Sequence, residues 1–298
     1  MKTILITGAT GFLGSHLTEK LLNDGFKIII LKRSFSNTWR IKHILDRLTS
    51  YDVDKTPLDE IFKENQVDVI IHTATLYGRK KETISQIAEA NFLFPLKILE
   101  LTIKNNVRYF INTDTSLPKY LNYYSLSKSQ FKEWLKFLSK DLTAVNIKLE
   151  HFYGEKDDPT KFITWLIDQF LKNTGEIKLT AGEQKRDFIY IEDVKEFYSI
   201  LIKSLDKFDK GFYEYELGSG HAVKIKELVL KIKELTGNTK TYLNFGAIPY
   251  RGNEIMLSQA DISKIKKDFS WEPKCSLEEG LKKTIDWYRR HSDEKSLQ

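Results

Sequence analysis

Residues 7–14 read Thr7-Gly8-Ala9-Thr10-Gly11-Phe12-Leu13-Gly14. The run before them, Thr3–Thr7, reads as a short strand, and Leu13–Asn23 after them has helical spacing. The three glycines have separate jobs. Gly8 permits the tight turn, Gly11 lets a phosphate approach the backbone, and Gly14 allows close helix–sheet packing. The helix N-terminus offers free N–H groups and a positive dipole end. A plain glycine-rich turn would read the same in isolation. This one sits at the first βα junction with a full βαβ unit around it, which points to a bound dinucleotide pyrophosphate.

Outward from that turn, strand-like and helix-like patterns alternate. Lys27–Leu31, Val67–His72, Tyr109–Thr113 and Ala144–Leu149 are short and rich in β-branched residues, and Ile84–Asn105 and Ser125–Ser139 read as helices. In the last, Phe131, Trp134, Leu135 and Leu138 recur at helical spacing. Strands that are continuous apolar runs are buried on both faces, as in a parallel sheet covered by helices. The expected fold is α/β, a doubly wound parallel sheet of the Rossmann type with a smaller C-terminal substrate lobe. The dinucleotide-binding domain is expected over residues 1–153 and the lobe over residues 154–298. After Gly154, Pro159, Gly175, Gly182, Gly211, Gly218 and Gly220 punctuate shorter elements. A segment near residues 187–218 is expected to return to the main sheet. The polar tail from Ser292 is expected to fray.

Composition narrows the function. The 298 residues carry a formal net charge of +6, with Lys and Arg interleaved among Asp and Glu along the whole chain. No block of like charge suggests a nucleic-acid groove. A mild positive balance suits a phosphorylated small substrate. The single cysteine, Cys275, has no partner for a disulfide, and no His, Asp, Glu or Cys spacing suggests a metal. No leader-like start and no apolar run approaching about 18 residues is seen, so a cytoplasmic enzyme without membrane contact is expected.

The second strand ends Leu31-Lys32-Arg33-Ser34. An enzyme selecting NAD usually has an acidic residue here for the ribose 2′-hydroxyl. A guanidinium can instead clamp a 2′-phosphate with two hydrogen bonds. NADP(H) is therefore the expected cofactor, with NAD(H) possible if Lys32 and Arg33 are ordinary solvated charges.

Tyr124 and Lys128 have the spacing that puts two side chains on one face of a helix. A free tyrosine titrates near pH 10, and a nearby ammonium should lower that value. Tyr124 could then exchange a proton with a substrate carbonyl or hydroxyl while a nicotinamide exchanges hydride. Lys128 could also hold the nicotinamide ribose. Tyr123 fails the test, because its partner would be Ser127. The strand before the pair ends Asn112-Thr113-Asp114-Thr115-Ser116. Thr113 or Thr115 could hydrogen-bond the substrate oxygen, with Thr115 favoured at the mouth of the sheet. Otherwise both hydroxyls cap strand-end backbone.

Together these motifs resemble the extended short-chain dehydrogenase/reductases, the nucleotide-sugar epimerases, dehydratases and reductases. The resemblance runs the length of the chain. It also rests on His72-Thr73-Ala74, Asn91, Phe152-Tyr153-Gly154, Arg186–Val194, Arg251-Gly252-Asn253-Glu254, Ala260-Asp261-Ile262, Trp271-Glu272-Pro273 and Ser276–Gly280. It implies cofactor contacts from Thr7, Gly8, Thr10, Gly11, Phe12, Leu13, Gly14, Lys32, Arg33, Ser34, Asp52, Thr73, Ala74, Thr75, Asn91, Thr113, Tyr124, Lys128 and His151. It implies substrate contacts from Thr115, Phe152, Tyr153, Arg186 and Arg251. The two arginines would lie at a diphosphate, unless each makes a structural ion pair such as Arg186 with Asp187. It further implies a homodimer built on Ile84–Asn105 and Ser125–Ser139.

Residues 112–118, 148–154, 184–188 and 253–256 are more particular. They resemble a branch that reduces the 4-keto group of CDP-linked 3,6-dideoxyhexuloses with NADPH, for surface lipopolysaccharide sugars. A 4,6-dehydratase of this family needs an Asp-Glu pair after its active-site threonine, and here Thr115 stands where the Glu would be. A nucleotide-sugar epimerase is the alternative, and a non-catalytic NADP(H)-binding sensor is a second. The Tyr124–Lys128 pair argues against the sensor.

Overall fold

The computed structural model describes residues 1–291. The tail from Ser292 lies outside the described residues. The first six strands are β1 (Thr3–Thr7), β2 (Lys27–Lys32), β3 (Thr49–Asp52), β4 (Val69–His72), β5 (Tyr109–Thr115) and β6 (Thr143–Leu149). Among them run the helices α1 (Phe12–Asn23), α2 (Leu58–Glu64), α3 (Ile84–Ala88), α4 (Phe94–Lys104) and α5 (Tyr123–Leu138). The chain continues through β7 (His151–Tyr153), α6 (Phe162–Leu171), β8 (Glu176–Leu179), β9 (Lys185–Tyr190), α7 (Ile191–Lys203) and β10 (Gly211–Leu217). It ends with β11 (Ala222–Lys224), α8 (Ile225–Thr236), β12 (Tyr242–Phe245), β13 (Leu257–Ser258), α9 (Ser263–Phe269) and α10 (Leu277–Arg290).

The central sheet has seven strands in the order β10-β6-β5-β4-β1-β2-β3, and β1 to β6 pair in parallel. Its inner strands are apolar on both faces. Ile4, Leu5, Ile6, Ile70, Ile71, Phe110 and Ile111 are all fully buried. The chain divides into two compact units. One comprises Met1–Leu149 and Lys195–Tyr215, and the other, among the described residues, Glu150–Val194 and residues 216–291.

In the first unit the strand order reverses around β1, which pairs with both β2 and β4. This is the switch point where open α/β sheets bind ligands, at the carboxyl ends of their strands. Register fixes which loops meet there: Thr7 lies level with Leu31 and with His72, and His72 with Asn112. The turn after β1, the Lys32–Ser36 turn, the loop after His72 and the end of β5 therefore share one edge.

In the second unit β9 is central. It pairs antiparallel with β11 and parallel with β7 and β13. β8 and β12 form a separate parallel pair. Asp187 is fully buried and ties the unit together, accepting from Ser219 N (2.7 Å), Ser219 Oγ (2.6 Å) and Gly220 N (2.9 Å).

Two local expectations change, and two elements had no expectation. Ile84–Asn105 is not one helix: a π-turn over Glu89–Leu93 separates α3 from α4. Pro95, in the first turn of α4, has no N–H to continue the α-helical ladder. Trp134, read with the apolar stripe of α5, is exposed, whereas Phe131 and Leu135 are fully buried. β3 and α2 carry too few apolar residues to stand out; β3 reads Thr-Ser-Tyr-Asp at the sheet edge.

Candidate active site

The glycine turn is built as a cradle. Gly8 adopts φ +72°, and a Cβ there would sit 2.5 Å from the Ala74 backbone nitrogen. A Cβ on Gly14 would sit 2.1 Å from the Gly8 carbonyl oxygen. Gly11 N donates to Gly8 O (2.9 Å) and closes the turn. Gly11 is also the N-cap of α1, with no side-chain cap and no acidic residue in the first turn. An uncapped helix N-terminus behind a turn with no room for side chains fits a diphosphate.

Three residues expected at the cofactor turn their side chains inward instead. Thr7 is fully buried and its hydroxyl meets His72 Nδ1 (2.7 Å) and Ala74 N (3.3 Å). Asn91 is fully buried in the π-turn, and its amide holds the loop after β4. Its Oδ1 accepts from Leu76 N (2.8 Å) and Thr75 Oγ1 (3.1 Å), and its Nδ2 donates to Leu76 O (2.8 Å). Both shape the site without facing it. Thr73 Oγ1 likewise donates to Thr7 O (2.7 Å). Thr10 presents its carbonyl to Arg40 Nη1 (3.4 Å). Phe12 and Leu13 are buried in the first turn of α1.

At the end of β2, Arg33 is not alone. Its Nε meets Asp54 Oδ1 at 2.5 Å, and its guanidinium lies 5.0 Å over the Phe35 ring. Ser34 donates from its nitrogen to Asp54 (2.9 Å) and from its hydroxyl to Asp52 Oδ2 (2.6 Å). Asp54 was not legible as a partner, because it follows the edge strand β3 and no motif marks it.

Asn122 starts α5 with a reciprocal capping box: its Oδ1 accepts from Ser125 N (2.9 Å), and Ser125 Oγ accepts from Asn122 N (3.2 Å). This puts Tyr124 in the first helical turn and Lys128 one turn on. Lys128 is 2% exposed, and its Nζ donates to Thr113 O (2.5 Å). Burial lowers its pKa to about 8, against the raising charge of Asp114. The expected effect on Tyr124 is reversed. Burial, reinforced by Tyr77 and Asp114, drives the phenol far above its usual pKa, while the Thr115 and Thr75 hydroxyls pull the other way. Tyr124 therefore stays protonated at neutral pH, as a proton donor must.

The two threonines of β5 separate in role. Thr113 Oγ1 shares a 2.7 Å hydrogen bond with the buried Tyr198 hydroxyl of α7. Thr115 Oγ1 accepts from Leu117 N (3.2 Å) and reaches the Tyr124 phenol. Asp114 is buried and accepts from Thr115 N (2.8 Å) and Asn146 Nδ2 (3.0 Å). Asn146 in turn bonds Asn112 and Glu214. His72 is buried among Phe94, Phe110 and Phe131, which holds its imidazole neutral.

Lys32, the last residue of β2, is half-buried, and the other expected residues lie in the second unit. His151 Nδ1 lies 3.2 Å from the buried carboxylate of Glu150, which also accepts from Ser258 Oγ (2.8 Å). Arg186 pairs with Glu254 (2.6 Å), not with its neighbour Asp187. Tyr153 is buried and donates to Leu277 O (3.1 Å). Phe152 carries the Lys161 ammonium 4.0 Å from its ring. Arg251 is exposed and contributes a backbone turn to Glu254 N (3.0 Å). Among the described residues no group of three His, Cys, Asp or Glu could hold a metal, and no helix is long and apolar enough to cross a membrane.

Known proteins bear on this arrangement. The family model described as "NAD dependent epimerase/dehydratase family" matches residues 4–218. A CDP-abequose synthase of Salmonella muenchen is 36% identical over 293 residues, covering 95% of this chain and 97% of that protein. A CDP-abequose synthase of Salmonella typhimurium is 31% identical over the same coverage. The fold matches a Thermotoga maritima UDP-glucose 4-epimerase crystallised with UDP-glucose, at TM-score 0.85, 24% identity and 97% and 99% of the two chains. It also matches a Bacillus anthracis dTDP-glucose 4,6-dehydratase in complex with NAD, at TM-score 0.85, 23% identity and full coverage of both.

Proposed function

The chain belongs to the NAD-dependent epimerase/dehydratase family of extended short-chain dehydrogenase/reductases, and on that premise we propose that it reduces the 4-keto group of a nucleotide-linked deoxyhexulose with NADPH. It is an NAD(P)-dependent oxidoreductase. The finer reading rests on one observation: the group set around Tyr124 contains hydroxyls and an ammonium but no free carboxylic acid. Residue 115 is a threonine, and the Asp114 carboxylate is committed to Asn146 and to the Thr115 N–H. Elimination of water needs an acid and a base beyond the phenol, whereas carbonyl reduction needs a single proton. The likeness to the two CDP-abequose synthases supports CDP as the nucleotide and a 3,6-dideoxyhexulose as the sugar.

Gly8, Gly11, Gly14 and the first turn of α1 would hold the dinucleotide, which supplies hydride to the C4 carbonyl carbon when bound. Tyr124 gives its proton to the carbonyl oxygen as the C4–H bond forms, and Thr115 donates a hydrogen bond to the same oxygen. Lys128, fixed by the Thr113 carbonyl, offsets the phenolate charge left behind. In the second unit, Arg251 and Arg186 are the proposed binders of the substrate's diphosphate, Arg186 by exchanging its Glu254 partner for a phosphate oxygen, and His151 is a proposed cofactor contact.

NADP(H) is the proposed cofactor on the strength of Lys32 and Arg33. The Asp54 carboxylate holds Arg33 in place but competes with a 2′-phosphate for it, which favours some use of NAD(H) as well. A homodimer through α3, α4 and α5 is proposed because Ile84, Leu93, Trp134 and Phe137 all lie exposed. A cytoplasmic role in making surface polysaccharide sugars accords with this chemistry. The test is incubation with NADPH and a panel of CDP-, dTDP-, UDP- and GDP-linked 4-keto sugars. NADPH absorbance should fall with the CDP-linked deoxy sugar, and no fall with any of them would reject the proposal.

A further inference from the structure

We propose that Tyr77 selects a deoxygenated sugar by forming an apolar wall beside Tyr124; this inference rests on the reductase reading above. Tyr77 belongs to no motif, yet it lies two residues past Thr75 on the loop after β4. Its ring centroid lies 5.1 Å from that of Tyr124, at an interplanar angle of 42°. A loop residue could hold that contact only loosely, but this loop is clamped. Asn91 bonds both Leu76 backbone groups and the Thr75 hydroxyl from inside the π-turn. On the other side, Gly78 adopts φ +72°, and a Cβ there would meet Ile87 Cδ1 at 2.8 Å. The Arg79 guanidinium lies 4.8 Å over the Tyr77 ring and braces it further.

So held, Tyr77 stays 36% exposed next to a phenol that must touch the substrate. A carbonyl oxygen taking the Tyr124 proton lies within about 3 Å of the phenol oxygen. Carbons beside that carbonyl then fall against the Tyr77 ring. Among the described residues, the Tyr77 hydroxyl has no hydrogen-bond partner. A ring face offers a sugar hydroxyl no strong hydrogen bond, so a hydroxyl on the neighbouring carbon would be stripped of water without replacement. A carbon bearing only hydrogens meets no such penalty. Selection of this kind typically amounts to about 10- to 100-fold.

The test compares two CDP-linked 4-keto sugars, one with and one without the hydroxyl at C3, on the full chain and on Tyr77→Phe and Tyr77→Ala. Tyr77→Phe should keep the preference for the deoxy sugar within about twofold. Tyr77→Ala should raise KM for the deoxy sugar about 10-fold, change kcat less, and shrink the preference. Unchanged cofactor affinity would show that the alanine variant is folded. An active wild type whose preference survives Tyr77→Ala overturns the proposal alone. Equal losses in Tyr77→Phe and Tyr77→Ala also overturn it, because they assign the effect to the hydroxyl. A wild type inactive on both sugars overturns the reductase reading and this proposal with it.

Discussion

Tyr124 and Lys128 set the pH behaviour at the scale of single residues. The phenol remains an acid well past neutrality, so it does not limit reduction there. Lys128 does, because burial brings its pKa down to about 8. Its charge is present below that value and lost above it. The rate of reduction, kcat/KM, should therefore fall about tenfold per pH unit above about pH 8, as a single lost proton requires. Tyr124→Phe should lower kcat by about 10²- to 10⁴-fold with cofactor affinity retained, as read from turnover beside a fluorescence titration. The same burial burdens the fold. An unfolded Lys128 would keep its proton up to 10.5, so the unfolded state binds more protons between about 8 and 10.5, and this group's contribution to stability rises with pH across that window. The spacing of the pair was legible in the sequence. The sign of the phenol's shift was not, because it depends on how deeply α5 packs and on a carbonyl, Thr113 O, that takes the ammonium.

At the scale of elements, the strand-turn-helix from β1 to α1 was the most legible part, since its glycines have steric reasons that hold in any protein with this turn. Gly14→Ala tests that reason. Its methyl must displace the Gly8 backbone, so unfolding stability should drop by about 2 kcal/mol or more and cofactor affinity should fall with it. Unaltered thermal unfolding and cofactor titration would deny the cradle. The far end of α1 is anchored too. Asp24 accepts from Lys20 (2.8 Å), Ser199 (2.5 Å) and Lys203 (3.1 Å), which joins α1 to α7. Burial pushes its pKa up, but these bonds together outweigh that and hold it down at about 2, from 3.8. A depressed carboxylate stabilises the fold above its unfolded pKa and loses that contribution as pH falls from about 4 towards about 2. Asp24→Asn should cost on the order of 1–2 kcal/mol at neutral pH and flatten the acid limb of an unfolding curve. The π-turn was hidden because apolar periodicity runs through it. Only the Pro95 that follows hints at a break, and its effect is to turn Asn91 onto the Thr75–Leu76 loop.

At the scale of the whole molecule, alternating apolar runs were enough to expect a doubly wound sheet. The partners of Arg33 and Arg186 were not readable, since Asp54 and Glu254 are ordinary surface-type residues until the fold brings them close. In the proposed reaction hydride ends on carbon 4 of a nucleotide-linked keto sugar. The most direct measurement uses NADPH doubly deuterated at nicotinamide C4, the CDP-linked 4-keto-3,6-dideoxyhexulose and mass and proton spectra of the product. A deuterium at sugar C4 is expected, with NADPH consumed in step with product. Product without the label, or interconversion of nucleotide sugars with no net loss of NADPH, would contradict the proposed reaction.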